Sequence, residues 1–461
     1  MKKKMMKHKM NKQNNFKNKN HLRKTNNSKK EKLFSFDKRF EKNLNKVQIS
    51  LLSSIPKILM DVSKISEKHF AQIKKNVFDL FKQLTSERSE RYVNYLNSDA
   101  FVFAYAYYYL PWNSYKLVKL FLHLSLSELL AEKNKEDENK SEELIFADFG
   151  AGPLTTMIAL WIAEPKLRAK KITWYCFDFS AKVLDLGEKI FNALENKNKK
   201  NAGNWTIKKI QTSFGSNQSE ETIGESVKLD FYFSCNMFNE FINPNSEKFL
   251  DEIFFASQTI KNYLSENTLA LIVEPGNPQG GKIISSFRQQ FLQNDFALIS
   301  PCTHSAFCPL DENLARMFFE TKQQGKNFKN KDFSFARGKW CHFIFSAKEN
   351  IESLNKLSEK VNLPKEKMAL SYLLVSKNET TSLNNDKKNT DVLQVRIISE
   401  LIKLRNAFGR YACSEYGFLL LQTKNKNTLK GFNSGDIIKL NKSLFKKTEI
   451  DRKTKTKVVI V

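Results

Sequence analysis

The residues best suited to chemistry sit where an apolar run gives way to small ones: Phe146-Ala147-Asp148-Phe149-Gly150-Ala151-Gly152-Pro153-Leu154-Thr155, followed by the apolar stretch Met157 to Ile162. A strand, a Gly-rich turn and a helix in that order aim backbone N–H groups and a helix N-terminus at a ligand, and glycine permits the positive φ and close approach required. This is chemistry for a nucleotide-type cofactor. A second apolar run ends at Asp178, about 30 residues beyond the glycines, where a carboxylate would accept hydrogen bonds from a ribose diol.

A dinucleotide site calls for a third glycine three positions after the second, and Thr155 stands there instead. Asp148, two residues before Gly150, gives the acid-x-Gly-x-Gly pattern of class I methyltransferases, which use S-adenosylmethionine (SAM). The turn is therefore read as a SAM site, ahead of NAD and of a turn with no ligand. Asn236 and Glu240, after a further strand ending near Ser234-Cys235, are expected to line its mouth. The Asn/Asp-Pro-Pro-aromatic motif of enzymes that methylate exocyclic base nitrogens is missing, so no catalytic residue is assigned. Cys235 could attack a pyrimidine C6, but a cysteine at a strand end reads first as a small core residue, as does Cys176.

The elements that must hold these groups follow from composition and pattern. The chain has 461 residues, 76 Lys plus Arg against 49 Asp plus Glu, a net charge of +27 and 41% apolar residues, which excludes a wholly disordered or collagen-like chain. No apolar run reaches the roughly 18 residues of a spanning helix, and the N-terminus lacks the apolar core of a secretory signal. Residues 1–46 form a basic tail rich in Lys, Asn and Gln, read as disordered when free: a solubilising arm or an arm that neutralises RNA phosphates, with a mitochondrial presequence disfavoured because Arg23 and Arg39 are its only arginines. Apolar residues then recur at three and four positions, which predicts a helical region over 47–131. Short apolar runs alternating with helical stretches predict an α/β domain with a buried parallel sheet over 144–300. A small β domain is expected over 391–461. Six cysteines are too sparse for a disulfide scaffold, which points to a reducing compartment and to thiols as ligands or catalysts.

Setting aside Cys176 and Cys235 leaves Cys302, Cys308, Cys341 and Cys413. Four thiolates can complete a cubane iron–sulfur cluster or tetrahedral zinc, although scattered reduced cysteines would show the same spacing. His304 and His342 are read as neighbouring groups rather than ligands.

Several motifs fall in one order along the chain: Thr85-Ser86-Glu87-Arg88, the Tyr-rich run Tyr105 to Pro111, Asp148 to Pro153, Val273-Glu274-Pro275-Gly276-Asn277-Pro278, Pro301-Cys302-Thr303-His304, Cys308-Pro309-Leu310 and Trp340-Cys341-His342-Phe343. Together they resemble the methyltransferase-like family of the small ribosomal subunit, found in bacteria and mitochondria. The resemblance implies an α/β, class I SAM-methyltransferase fold with a Rossmann-like domain, an N-terminal helical region, a Cys-containing cluster segment over 301–375 and a small C-terminal β domain. It implies SAM binding through Asp148, Gly150, Gly152, Asp178, Asn236 and Glu240, and a [4Fe–4S] cluster on Cys302, Cys308, Cys341 and Cys413, with zinc as the alternative. It also implies a monomer, away from membranes, that associates with small-subunit rRNA and the small subunit during assembly, as a methyltransferase or as a catalytically silent scaffold. The compartment would be the bacterial cytoplasm or the mitochondrial matrix. Where the family continues Gly-Pro-Gly-Thr, this chain has Leu154, which is expected to add bulk where the methionine part of SAM passes.

Overall fold

A computed structural model describes residues 34–37, 40–85, 98–134, 143–198, 203–223, 227–323, 333–336, 338–347, 351–377, 391–447, 449–451, 454 and 456–461. The chain divides into two compact bodies. One comprises residues 39–331 and 335–385, the other 1–38, 332–334 and 386–461. Strand β1 (Phe34–Asp37) belongs to the second, so the end of the expected tail is structured, while its first 33 residues lie outside the described ones.

The larger body opens with helices α1 (Lys46–Val62), α2 (Phe70–Leu84) and α3 (Asp99–Leu124). A capping box starts α1: Asn45 Oδ1 accepts the Gln48 N–H, and Gln48 Oε1 accepts the Asn45 N–H, both at 2.9 Å. Helix α3 is apolar on nearly every side and accordingly buried, the signature of a core helix. Three of its aromatics pair their polar ends with the far part of the same body. Tyr108 Oη donates to the Leu363 carbonyl (2.7 Å), Trp112 Nε1 to Ser358 Oγ (2.8 Å) and Tyr115 Oη to the Ser346 carbonyl (3.0 Å). The dense Tyr run is thus core.

Against these helices lies the sheet. Strands β2 (Glu143–Phe149), β3 (Lys171–Asp178), β4 (Asn204–Gln211), β5 (Phe231–Cys235) and β6 (Leu269–Pro275) are parallel, and β7 (Ala297–Ser300), β8 (Phe343–Ser346) and β9 (Lys367–Ser376) complete it. The order is β4-β3-β2-β5-β6-β9-β7, with β9 antiparallel to β6, β7 and β8. Read by chain position the first five strands run 3-2-1-4-5, the doubly wound order that leaves a ligand crevice at the carboxyl ends of β2 and β5. Helices α4 (Thr155–Ala163), α5 (Ala181–Lys197), α6 (Phe238–Phe241), α7 (Phe249–Asn262) and α8 (Pro278–Gln293) lie between strands. Residues 301–375 are therefore not a module of their own: β8 and β9 are sheet strands, and β9 pairs directly with β6, Glu274 opposite Ser371.

The second body contains β10 (Val392–Ile397), β11 (Ile402–Lys403), β12 (Phe408–Ser414), β13 (Gly417–Thr423), helix α9 (Lys426–Leu429), β14 (Ile437–Asn441), β15 (Glu449–Ile450) and β16 (Lys457–Ile460). Its order is β1-β14-β10-β12-β13-β16-β15, with β11 on β12, and every pair is antiparallel except β13 with β16. Val395, Ile397, Ala412, Leu419, Leu421, Ile438 and Val459 form its core. Among the described residues no helix is long and apolar enough to cross a membrane.

Replacing Trp112 by Phe keeps most of the buried ring and removes the bond to Ser358. Losing one buried hydrogen bond and leaving its partner unsatisfied costs about 1–3 kcal/mol. A urea titration of Trp112→Phe should show that loss with an unchanged m-value.

Candidate functional site

The glycine turn closes β2 at its carboxyl end, inside the sheet's crevice. Gly150 (φ 72°), Gly152 (φ 52°) and Leu154 (φ 54°) all adopt left-handed backbone. The N–H groups of Gly150 and Ala151 donate to the Phe177 carbonyl on the neighbouring strand (2.9 and 3.0 Å), and that of Gly152 donates to Asp178 Oδ2 (2.9 Å). Asp178 Oδ1 also accepts the Ser180 N–H at 3.0 Å, so one carboxylate joins the glycine turn to the start of α5. A side chain at Gly152 would meet nothing within 4 Å, whereas a Cβ at Gly150 would stand 2.8 Å from the Met237 side chain. Gly152 thus faces open space and Gly150 is covered by Met237.

Leu154 departs from its expected place. It is fully buried, and its Cγ packs where a Cβ on Gly187 of α5 would stand, 2.8 Å away. A leucine therefore fits where the family has glycine, because Gly187 leaves the room, and its bulk goes into the α4–α5 packing.

The carboxyls at the strand ends are shifted by burial. Asp148 is fully buried beside the Thr156 side chain; burial pushes it up to about 8 against the pull of Thr156, and the Asp178 charge adds to the rise. Burial also raises Asp178, to about 6, against the pull of its N–H donors. Tyr105 of α3 is raised by burial and then by the charges of Glu240 and Asp178.

The β5 end is held from two sides. Asn236 is left-handed (φ 60°), donates its N–H to the Val273 carbonyl (2.7 Å) and accepts Lys116 Nζ at Oδ1 (3.0 Å). Burial lowers Lys116 to about 8, opposed by Cys235 and Glu274. Glu274 of β6 accepts the N–H groups of Phe238 (3.0 Å) and Asn239 (3.1 Å), and burial raises it to about 8. Burial pushes the Cys235 thiol up as well, so it is held protonated and suits the core better than attack on a base. Cys176 is core, fully buried.

Asp148, Gly150, Gly152, Asp178 and Asn236 lie at or just past the carboxyl ends of β2, β3 and β5, and Glu240 lies on α6 after β5. Sequence reasoning gave no role to Tyr105, Lys116 or Glu274. The signal for Lys116 was present, a lysine inside the apolar run from Trp112 to Leu124. The open side of Gly152 and the Asp178 carboxylate suit a ligand with a ribose diol.

The cysteine stretches are well anchored. Arg288 of α8 donates from Nε to Cys302 Sγ (3.1 Å) and from Nη2 to the carbonyls of His304 (2.9 Å) and Ala306 (2.7 Å). Trp340 Nε1 donates to the Gly276 carbonyl (3.0 Å) and Ser371 Oγ to the Cys341 carbonyl (2.6 Å). Cys308 is buried, and Cys413 lies on β12 opposite Phe418. Cys302, Cys308 and Cys341 belong to the larger body and Cys413 to the second; among the described residues no three His, Cys, Asp or Glu side chains are gathered to hold a metal ion, while the thiol donor chemistry suits a cluster.

Residues 103–419 match the sequence model of the family described as mitochondrial small ribosomal subunit Rsm22. The chain belongs to the Rsm22 family. Among solved structures it is similar to a loganic acid methyltransferase with SAH, at 11% identity over 59% of this chain and 95% of that one, with a TM-score of 0.30. It is also similar to the human methyltransferase 10 domain containing protein (11%, 57% and 83%, TM-score 0.26) and to the rRNA methyltransferase aviRa from Streptomyces viridochromogenes (9%, 34% and 73%, TM-score 0.26). No curated protein matches the chain.

The Asp148 shift has a testable sign. An acid whose folded pKa, about 8, exceeds its unfolded value disfavours folding progressively as pH rises between the two. Asp148→Asn should therefore gain stability over the native chain as pH rises from 4 to 8, with the two converging near pH 4. Urea midpoints across that range read it.

Proposed function

We propose that the chain binds SAM in the turn from Asp148 to Gly152 and methylates small-subunit rRNA during assembly of the small ribosomal subunit, in mitochondria. What carries this reading is Rsm22 family membership across residues 103–419 together with a doubly wound sheet edge bearing the acid-x-Gly-x-Gly turn. Asp178 would hold the ribose, and Gly152 would give the cofactor room. Asp148, buried beneath the turn beside Thr156, would set the turn's shape and not touch the ligand. Bound SAM supplies a methyl carbon on a sulfonium leaving group, so the protein has mainly to align the acceptor. Lys116 and Glu274 fix the segment from Asn236 to Asn239, which with Glu240 would border the acceptor.

Gly152→Val tests the cofactor site, because its side chain enters open space instead of displacing packed atoms. Calorimetry should show SAM and its demethylated product binding the native chain, and at least about a tenfold weakening in the variant, since the added bulk and the strained backbone both act there. No binding to the native chain would end the reading. A catalytically silent scaffold is the second reading, favoured by Met237 lying on Gly150 and by the missing base-nitrogen motif. SAM binding without transfer of a labelled methyl group to undermethylated small subunits would select it.

The proposal also carries a [4Fe–4S] cluster on Cys302, Cys308, Cys341 and Cys413, with zinc as the alternative, supported by the motif resemblance and the thiol donor set. No step of the methyl transfer runs through it. Anaerobically purified full chain should contain about four iron and four sulfide per molecule, falling on Cys302→Ser. Zinc without sulfide would select the alternative, and neither metal would remove this part alone.

A further inference from the structure

We infer that the C-terminal body is a single-stranded RNA-binding module, with a surface running from the cationic loops around Phe408 to the exposed Tyr416 ring, which is backed by half-buried Phe445. The inference rests on the rRNA reading above and names the surface that would take the RNA.

The connectivity is the first observation. Strands β10, β12, β13, β14 and β16 form a five-stranded Greek key in which the first pairs with the fourth, the third runs parallel to the fifth, and helix α9 joins third to fourth. That is the layout of the partly open barrel whose second and third strands and adjoining loops carry oligonucleotides in many proteins. Layout alone assigns nothing; the side chains have to supply the chemistry.

They do so at both ends of the β12–β13 hairpin. Residues 391–461 carry 15 Lys or Arg against 6 acids. Lys403 sits opposite Phe408, and Phe408 opposite Thr423. Lys403, Arg405, Lys424 and Lys426 are all exposed around this point, with the Lys426 ammonium 5.9 Å from the Phe408 ring centre. At the hairpin's other end Tyr416 is 40% exposed, its ring 5.7 Å from that of Phe445, and Lys442 pairs with the adjacent Glu415 at 3.5 Å. The Tyr416 N–H donates to Ser414 Oγ (3.1 Å), which fixes the turn that presents the ring. Cations at one end and a rigid aromatic at the other, separated by a seven-residue strand of roughly 24 Å, match a backbone-tracking groove with a stacking platform, whose sites cover about 4–16 nucleotides.

The test uses the full chain and fluorescence anisotropy with a labelled 12-nucleotide oligouridylate, competed by an RNA duplex of equal length. Reversing Lys403, Arg405, Lys424 and Lys426 to Glu should flatten the salt dependence, log Kd against log salt, by about 3, since each phosphate contact on a single strand contributes about 0.7. Tyr416→Ala should weaken binding about tenfold with little change in salt slope, as loss of one stacked base predicts. Thermal melts of both variants should match the native chain, because all five residues are solvent-facing. Native-like binding by both variants would overturn this surface and leave the rRNA reading standing. Equal competition by the duplex would overturn single-strand recognition. A native chain that binds neither the oligonucleotide nor small-subunit rRNA would bring down the rRNA reading, and this inference with it.

Discussion

Three carboxyls taken out of water at the carboxyl ends of β2, β3 and β6 are the constraint on which the larger body turns. Burial raises Asp148, Asp178 and Glu274, and the structure has to answer each. Asp178 and Glu274 are met by backbone N–H groups, which ties the glycine turn to α5 and the segment after β5 to β6. Asp148 has the Thr156 side chain beside it and is still raised to about 8. A carboxyl taken out of water is costly to ionise, so the fold holds this one mostly protonated at neutral pH. Lys116, desolvated nearby on α3, shows that the helical layer contributes to the polar interior and does more than cover it.

Much of this was readable in the residues. The apolar runs ending at Phe149, Phe177 and Ser234 marked β2, β3 and β5 because strands buried on both faces cannot alternate. The turn glycines were legible because only glycine takes their backbone without strain. β4 was hidden, since its burial pattern is largely exposed and polar, which is what an edge strand looks like. β9 was hidden for a different reason: it returns to the sheet almost 100 residues after β6, and only tertiary pairing shows that 301–375 interrupts the domain and does not follow it. Lys116 and Glu274 gave weak signals, because a single polar residue in an apolar run says that it is buried but not what it meets.

Leu154 shows how a departure from a family pattern can be neutral in one place because of a residue elsewhere. The left-handed backbone that normally favours glycine is retained, and the side chain is received by the space over Gly187. The two positions lie on different helices' termini and faces, so their coupling is spatial. Reading either alone gives the wrong sign for the cofactor path.

Strand β1 also orders events in time. Its partner β14 lies roughly 400 residues later, and a ribosome adding about 5–20 residues per second needs on the order of half a minute to reach it. Throughout that interval β1 has no edge to join. The smaller sheet therefore closes only once nearly all of the described chain has been made, although one of its strands precedes the whole larger body in sequence.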